Sequence, residues 1–489
     1  MNKLNIPDSA VYAGIMAVYI FVIILVGVVM GRKSKKGSDY FLGGRSIGPW
    51  VTAFSFIAAY FSSVLIIGGG GFGYKFGLGT MWIGAINVLV GCFMAWMVLG
   101  RRVRRMTQKL DTMTIPEFFA ERFGSQAARI FAAAIIMIFL IVYNVSVLKG
   151  MGNAFEVLMG WPYTLSVLIS GVIILLYVAI GGYLAVVWTS FIQAWVMIFG
   201  LIFLTVFALI EVGGLTQLNL SLSAIDPGLI KTPGVWGWAG LISYSLIVSF
   251  GVWGMPQLIV RFYSIKKARL IKLGAVLATV GGTVALLPYL NGAIARVLYP
   301  GLESADLAIP TLTRGVLPAW AGGLLLAGVI AAGMSTFAAV LIIVSSSVVR
   351  DVMQKGMKMK FTEKQLANGG RIVCVVAGLV SLLIALKPPD LVLVITGFSW
   401  AVIASTNLWP ILFGIYWKRA SKLGVLASMI SGAATALVWQ VLAKIGWNPV
   451  VSSGIHGFIP GMIVGLAVII VVSLLTKKPD PRRIEKAFG

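Results

Sequence analysis

The stretch AAYFSSVLIIGGGGFG, residues 58–73, lies inside an apolar run that extends from 49 to 74. Two serines, Ser62 and Ser63, precede four consecutive glycines in a segment long enough to cross a bilayer as one helix. Glycine weakens a helix, and backbone groups released at membrane depth persist only where protein or a cavity can use them. The stretch therefore reads as a helix broken in mid-membrane. A second run, 236–263, is interrupted in the same manner by SFGVWGMPQ, 249–257, where Pro256 removes a backbone donor.

Thirteen such runs are expected, numbered here as spans 1 to 13: 9–30, 49–74, 78–100, 128–150, 160–182, 185–212, 236–263, 271–299, 315–349, 371–387, 391–417, 423–446 and 455–476. The chain is 59% hydrophobic and 11% charged, with a mean hydropathy of +0.98. That is more apolar surface than a water-soluble core can hide, so the expected fold is an all-α membrane protein. The two broken helices, spans 2 and 7, lie five apart, and an odd offset gives them opposite orientations across the bilayer. That is the signature of an inverted-topology repeat. The expected organisation is one transmembrane domain over 1–489. It comprises an extra span (9–30), two five-helix halves (49–212 and 236–417), two further spans (423–476) and a tail (477–489).

A formal net charge of +24 would suggest nucleic acid in a soluble protein. Its placement excludes that reading. Of 39 Lys and Arg, 31 fall in the segments 31–48, 101–129, 261–272, 350–371, 418–422 and 477–489, all on one side if the amino terminus is outside. Lys3, Lys75, Lys149, Lys231, Arg296, Arg314, Lys387 and Lys444 occupy the other side. Positive residues gather on the cytoplasmic side of membrane proteins. This predicts a multi-pass protein of the cell (inner) membrane with a cytoplasmic carboxyl terminus. Within 101–129, TIPEFFAERFG reads as a short amphipathic helix with a Thr114–Glu117 capping box and a stop at Gly124.

Catalytic chemistry is absent. The single histidine, His456, sits at the outer end of span 13, and Cys92 and Cys374 have no partner spacing for metal or disulfide, so neither an enzyme nor a cofactor is expected. The GGGG run lacks the Lys and Ser/Thr of a phosphate loop. No Asp or Glu falls at mid-membrane, which removes the usual carrier of a coupled proton. A hard cation such as sodium can instead be held by neutral oxygens. Span 9 contains AAGMSTF, 331–337, which sets the Ala332 carbonyl and the Ser335 and Thr336 hydroxyls on one helix face. Back-bonding of those hydroxyls to their own helix is the plain alternative.

Taken together, DYFLGGRSIG (39–48), AAYFSSVLIIGG (58–69), IGGYLAVVWTSFIQA (180–194) and AAGMSTF resemble the sodium:solute symporter family. The resemblance implies 13 spans, a core of two inverted five-helix repeats and alternating access around a central site. It also implies a sodium site made of the Ala58 and Phe61 carbonyls, the Ala332 carbonyl and the Ser335 and Thr336 hydroxyls. Two acids of related members are missing: Tyr60 stands where proline carriers have Asp, and Ser190 where many read WTD. The second loss, with Ala338 and Ala339, implies one sodium per cycle. The subfamily in closest appearance is the sodium/pantothenate symporters, through GGGGFGYKFGLG, FGVWGMPQLIVR, DLAIPTL, GMSTFAAVL and LKPPD.

The expected function is thus sodium-coupled symport of a small carboxylate-bearing solute, with pantothenate as best guess and monocarboxylates or proline as alternatives. A proton-coupled carrier and a non-transporting sensor of the same fold are weighed behind it. The expected pocket residues are Tyr60, Ser62, Ser63 and Gly68 of span 2, Tyr143 and Asn144 of span 4, and Trp253 and Gln257 of span 7. Either Tyr143 and Asn144 or Trp253 could equally serve helix packing. The expected partners are the solute, Na+ and the lipid bilayer, and no nucleic acid.

Overall fold

A computed structural model describes residues 8–31, 41–447 and 453–489. The basic run 32–36, Lys3, and Asp39 and Tyr40 of the DYFLGGRSIG stretch lie outside the described residues. Among the described residues the chain is helical throughout, with one isolated bridge between Ile47 and Ile265. Eleven helices are long and apolar enough to cross a membrane, twelve if the bent pair at span 2 counts as one span. The predicted span 5 holds the shorter apolar helix Tyr163–Leu175, joined to span 6 through a kink at Gly182, whose φ of 60° suits glycine.

Both predicted interruptions are present. Span 2 runs as Pro49–Tyr60, leaves the helix at Phe61 (φ −90°, ψ 72°), and resumes with a π-helical turn Val64–Gly69 and the helix Gly70–Phe76, bent by 51°. Span 7 tightens into a 3-10 turn at Gly251–Gly254, turns extended at Met255, and restarts at Pro256, where a missing N–H costs nothing in the first helical turn.

Burial orders the helices around a centre. The most apolar part of Ala319–Gly356, which contains span 9, is 100% buried, against 22% for Asp8–Met30 and 28% for Phe458–Leu475. Span 9 therefore forms the axis, packed by spans 1, 2, 4, 6 and 10, while the first and last helices present their side chains outward. The second half of span 2 meets span 8 through facing glycines. A Cβ on Gly73 would collide with the Tyr289 carbonyl, and one on Gly292 with the Gly70 carbonyl.

The segments assigned to one side of the membrane meet one another. Arg45 donates to the Thr107 and Thr112 carbonyls at 3.1 and 2.9 Å, Arg122 to Gly414 and Trp417 at 2.9 and 3.1 Å, and Arg483 to Glu121 at 3.1 Å. On the opposite side Lys149 pairs with Asp306 at 3.1 Å and donates to the Asp390 carbonyl at 2.7 Å. The short helix Ile115–Phe123 forms as expected, with Thr114 accepting from the Glu117 amide and Gly124 left-handed. The capping box is only half made. Glu117 reaches back to the Met113 amide (2.8 Å) rather than to Thr114, because Arg350 draws its carboxylate to 3.2 Å.

Candidate functional site

Where span 2 breaks, its helix ends with carbonyls that no following amide can serve. Span 9 supplies the groups that face them. The Ser335 hydroxyl lies 2.8 Å from the Ala58 carbonyl oxygen across the interface and 2.9 Å from the Ala332 carbonyl of its own helix. Thr336 donates to the Ala59 carbonyl at 3.1 Å. Ser335, Thr336, Ala58 and Ala332 are all fully buried. Thr336 does not bond back to its own helix, so the plain alternative holds only for half of Ser335's contacts. Ala59 was not singled out in the sequence. The Phe61 carbonyl, at the break itself, contacts neither hydroxyl and accepts no hydrogen bond among the described residues.

This cluster contains carbonyl and hydroxyl oxygens and no carboxylate. Such a set suits a monovalent hard cation, since a doubly charged ion would ordinarily demand fixed negative charge. Among the described residues no group of His, Cys, Asp and Glu could hold a metal ion.

The expected solute residues divide into three kinds. Tyr143 and Ser62 meet across spans 4 and 2, hydroxyl to hydroxyl at 3.3 Å, and Tyr143 lies edge-on to Trp400 of span 11, centroids 5.7 Å apart. Asn144 and Gln257 are buried, and both polar atoms of each side-chain amide lack a hydrogen-bond partner among the described residues. Buried amides without partners are costly, and they mark places where a ligand or water completes the bonding.

The remaining residues act as ties. Ser63 donates to the Val147 carbonyl at 2.9 Å. Gly68 allows span 11 to approach, because a Cβ there would sit 3.1 Å from the Leu393 backbone amide nitrogen. The Trp253 indole donates to the Val90 carbonyl at 3.1 Å and walls a 440 Å³ apolar cleft with Phe250, Trp409 and Phe458, which favours its packing role. The Tyr60 hydroxyl is engaged by Asn87 and the Val248 carbonyl, while its ring stacks on Phe61 and Trp400 at 4.9 and 6.1 Å. Trp400 and Asn87 thus pack against the candidate residues Tyr60 and Tyr143 and were not singled out in the sequence. The one local signal was a polar, aromatic patch inside span 11, GFSWAVIASTN.

A 640 Å³ cavity walled by Trp236, Tyr244, Phe398, Trp439 and His456 adjoins the second half of span 2, where Tyr244 packs against Phe72.

Residues 40–432 match the sodium:solute symporter family. The osmoregulated proline transporter OpuE of Bacillus subtilis (strain 168) is 32% identical over 95% of this chain and 94% of its own length. The sodium/proline symporter of Escherichia coli (strain K12) is 32% identical over 96% and 94%. Among solved structures, a substrate-bound outward-open Na+-coupled sialic acid symporter aligns over 96% of this chain and 98% of its own with a TM-score of 0.81 at 18% identity. Mhp1, a nucleobase-cation-symport-1 family transporter, aligns over 93% and 98% with a TM-score of 0.55 at 13% identity. These two likenesses concern the fold.

Proposed function

This chain belongs to the sodium:solute symporter family, and from that premise we propose that it is a sodium-coupled carrier of proline or a closely similar small amino acid. Proline replaces pantothenate, the best guess from the sequence. The relatives that match across almost the whole chain carry proline in their names, whereas the pantothenate likeness rested on short stretches.

The observation that carries the sodium reading is Ser335, whose hydroxyl joins the Ala58 carbonyl of the broken helix to the Ala332 carbonyl of span 9. Sodium entering there takes the Ala58 and Ala332 carbonyls and the Ser335 and Thr336 hydroxyls. The Phe61 carbonyl, free at the break, is the fifth ligand, and Ala59 stands beside Thr336. The ion fixes span 2 against span 9, and the fixed break shapes the solute site beside it. Each ligand then raises the affinity of the other by the same factor.

For the solute, the unpaired amides of Asn144 and Gln257 offer both donors and acceptors, matching a zwitterion that carries a carboxylate and an ammonium. Tyr143 and Ser62 contribute hydroxyls, and Trp400 an aromatic wall. A simple monocarboxylate is the second reading, favoured by Tyr60 in place of the Asp of proline carriers, which leaves no fixed negative charge for an ammonium. The architecture proposed is thirteen crossings with spans 2–6 and 7–11 as inverted halves, the amino terminus outside and the carboxyl terminus in the cytoplasm.

The test is a sodium titration of proline uptake by purified protein in vesicles. Ser335→Ala should raise the half-saturating sodium concentration by roughly 5- to 150-fold, the equivalent of about 1–3 kcal/mol for one lost ligand. Unchanged sodium dependence in a folded variant would remove Ser335 from the site.

A further inference from the structure

On the side where the basic segments gather, a 530 Å³ cavity is lined by Arg101, Arg102, Arg105 and Lys109, with no acidic side chain in its wall. Its far wall is Tyr416, at the end of span 11, and Phe488 of the helix Pro481–Phe488. Two of the four cations are engaged. Arg102 stacks on the Tyr416 ring, 4.1 Å from its centroid, and Lys109 donates to the Gly489 backbone oxygen at 2.6 Å. Arg101 and Arg105 are exposed, and among the described residues they have no hydrogen-bond or ion-pair partner.

Their position on the helix Leu78–Lys109, just beyond the end of span 3, says what would bind them. Leu89, Phe93 and Met97, at 58%, 40% and 45% exposure, precede Arg101 and Arg105 at steps of four, so one face of the helix carries an apolar ridge that ends in two guanidinium groups. In a membrane protein such a ridge faces acyl chains, and its end lies at headgroup level. Guanidinium forks match the paired oxygens of a phosphodiester, and four cations, of which only Lys109 is held by the terminal Gly489 oxygen, leave a net positive charge that selects a headgroup with net negative charge.

We propose that this cavity is a binding site for one anionic phospholipid of the adjoining leaflet. Its phosphate is held by Arg101 and Arg105, its acyl chain lies along Met97, Phe93 and Leu89, and its headgroup bridges span 3 to the Pro481–Phe488 helix.

The experiment uses the full chain purified in detergent and native mass spectrometry to count retained lipid. The probes are phosphatidylglycerol, phosphatidylcholine of identical chains, and sn-glycerol 1-phosphate alone. Wild type should retain one phosphatidylglycerol in preference to phosphatidylcholine. Arg101→Gln/Arg105→Gln should weaken that retention roughly thirtyfold, from about 1 kcal/mol for each basic residue. Arg101→Lys/Arg105→Lys should keep most of it, and Lys360→Gln/Lys364→Gln, on the same side but away from the cavity, should match wild type. The proposal is overturned if the glutamine pair retains lipid like wild type, if the Lys360/Lys364 pair loses as much, or if glycerol phosphate displaces the lipid at equal concentration, which would mark a free-anion site. Should the glutamine pair not fold, Arg101→Gln and Arg105→Gln separately should each weaken retention about fivefold, and no weakening in either would be equally fatal.

Discussion

Ser335 can touch two helices because its hydroxyl lies between a carbonyl of its own turn and one released by a break in another span. Its neighbour Thr336 needs only its hydroxyl for the same interface, so Thr336→Ser retains the proposed contact while Ser335→Ala does not. The i, i+3, i+4 spacing of Ala332, Ser335 and Thr336 made this half of the cluster legible in the sequence, since helical geometry alone puts them on one face. Asn87 was not legible, and Trp400 only as part of the polar, aromatic patch GFSWAVIASTN. Each acts on Tyr60 from a distant part of the chain, and no local pattern encodes which residues a fold brings together.

The broken helices were the most readable elements. Span 7 breaks at Gly251–Pro256, where glycine and proline change the backbone directly, whereas span 2 breaks at Phe61 and Ser62, just ahead of its glycines, which are themselves helical. Their consequence for packing is a matter of contact. Gly73 lies against the Tyr289 backbone and Gly70 against Ile309, so the second half of span 2 seats on span 8 and on the helix Ala308–Val316 with no room for a side chain. Gly73→Ala must push backbone from backbone. It should abolish uptake or lower the yield of folded protein, whereas Gly14→Ala, with nothing within 4 Å of the added carbon, should leave both unchanged. Size-exclusion yield and uptake rate measured together distinguish the two. The Thr114–Glu117 turn shows the opposite case. Its local motif predicted a reciprocal box, and a long-range cation, Arg350, redirected the glutamate.

At the scale of the whole molecule, burial and charge divide the labour. Span 9 is enclosed and carries the sodium candidates, the outer helices face lipid, and the basic segments meet on one side. The proposed topology puts Lys231 outside and Lys360 inside. With Cys92 and Cys374 both buried, Lys231→Cys should react with a membrane-impermeant maleimide in intact cells and Lys360→Cys only after lysis. The reverse pattern would invert the assignment. Charge placement made the gathering of the basic segments on one side legible, because lysine and arginine act through the membrane potential and lipid headgroups rather than through specific neighbours. The solute was less legible, since the atoms proposed to hold it, on Asn144, Gln257 and Trp400, come from distant parts of the chain. The most direct measurement is uptake of labelled proline into vesicles containing the purified chain, driven in turn by an imposed sodium gradient and an imposed proton gradient, with pantothenate as competitor. Accumulation under sodium alone, undiminished by pantothenate, is the predicted result, and accumulation under protons without sodium would contradict the account.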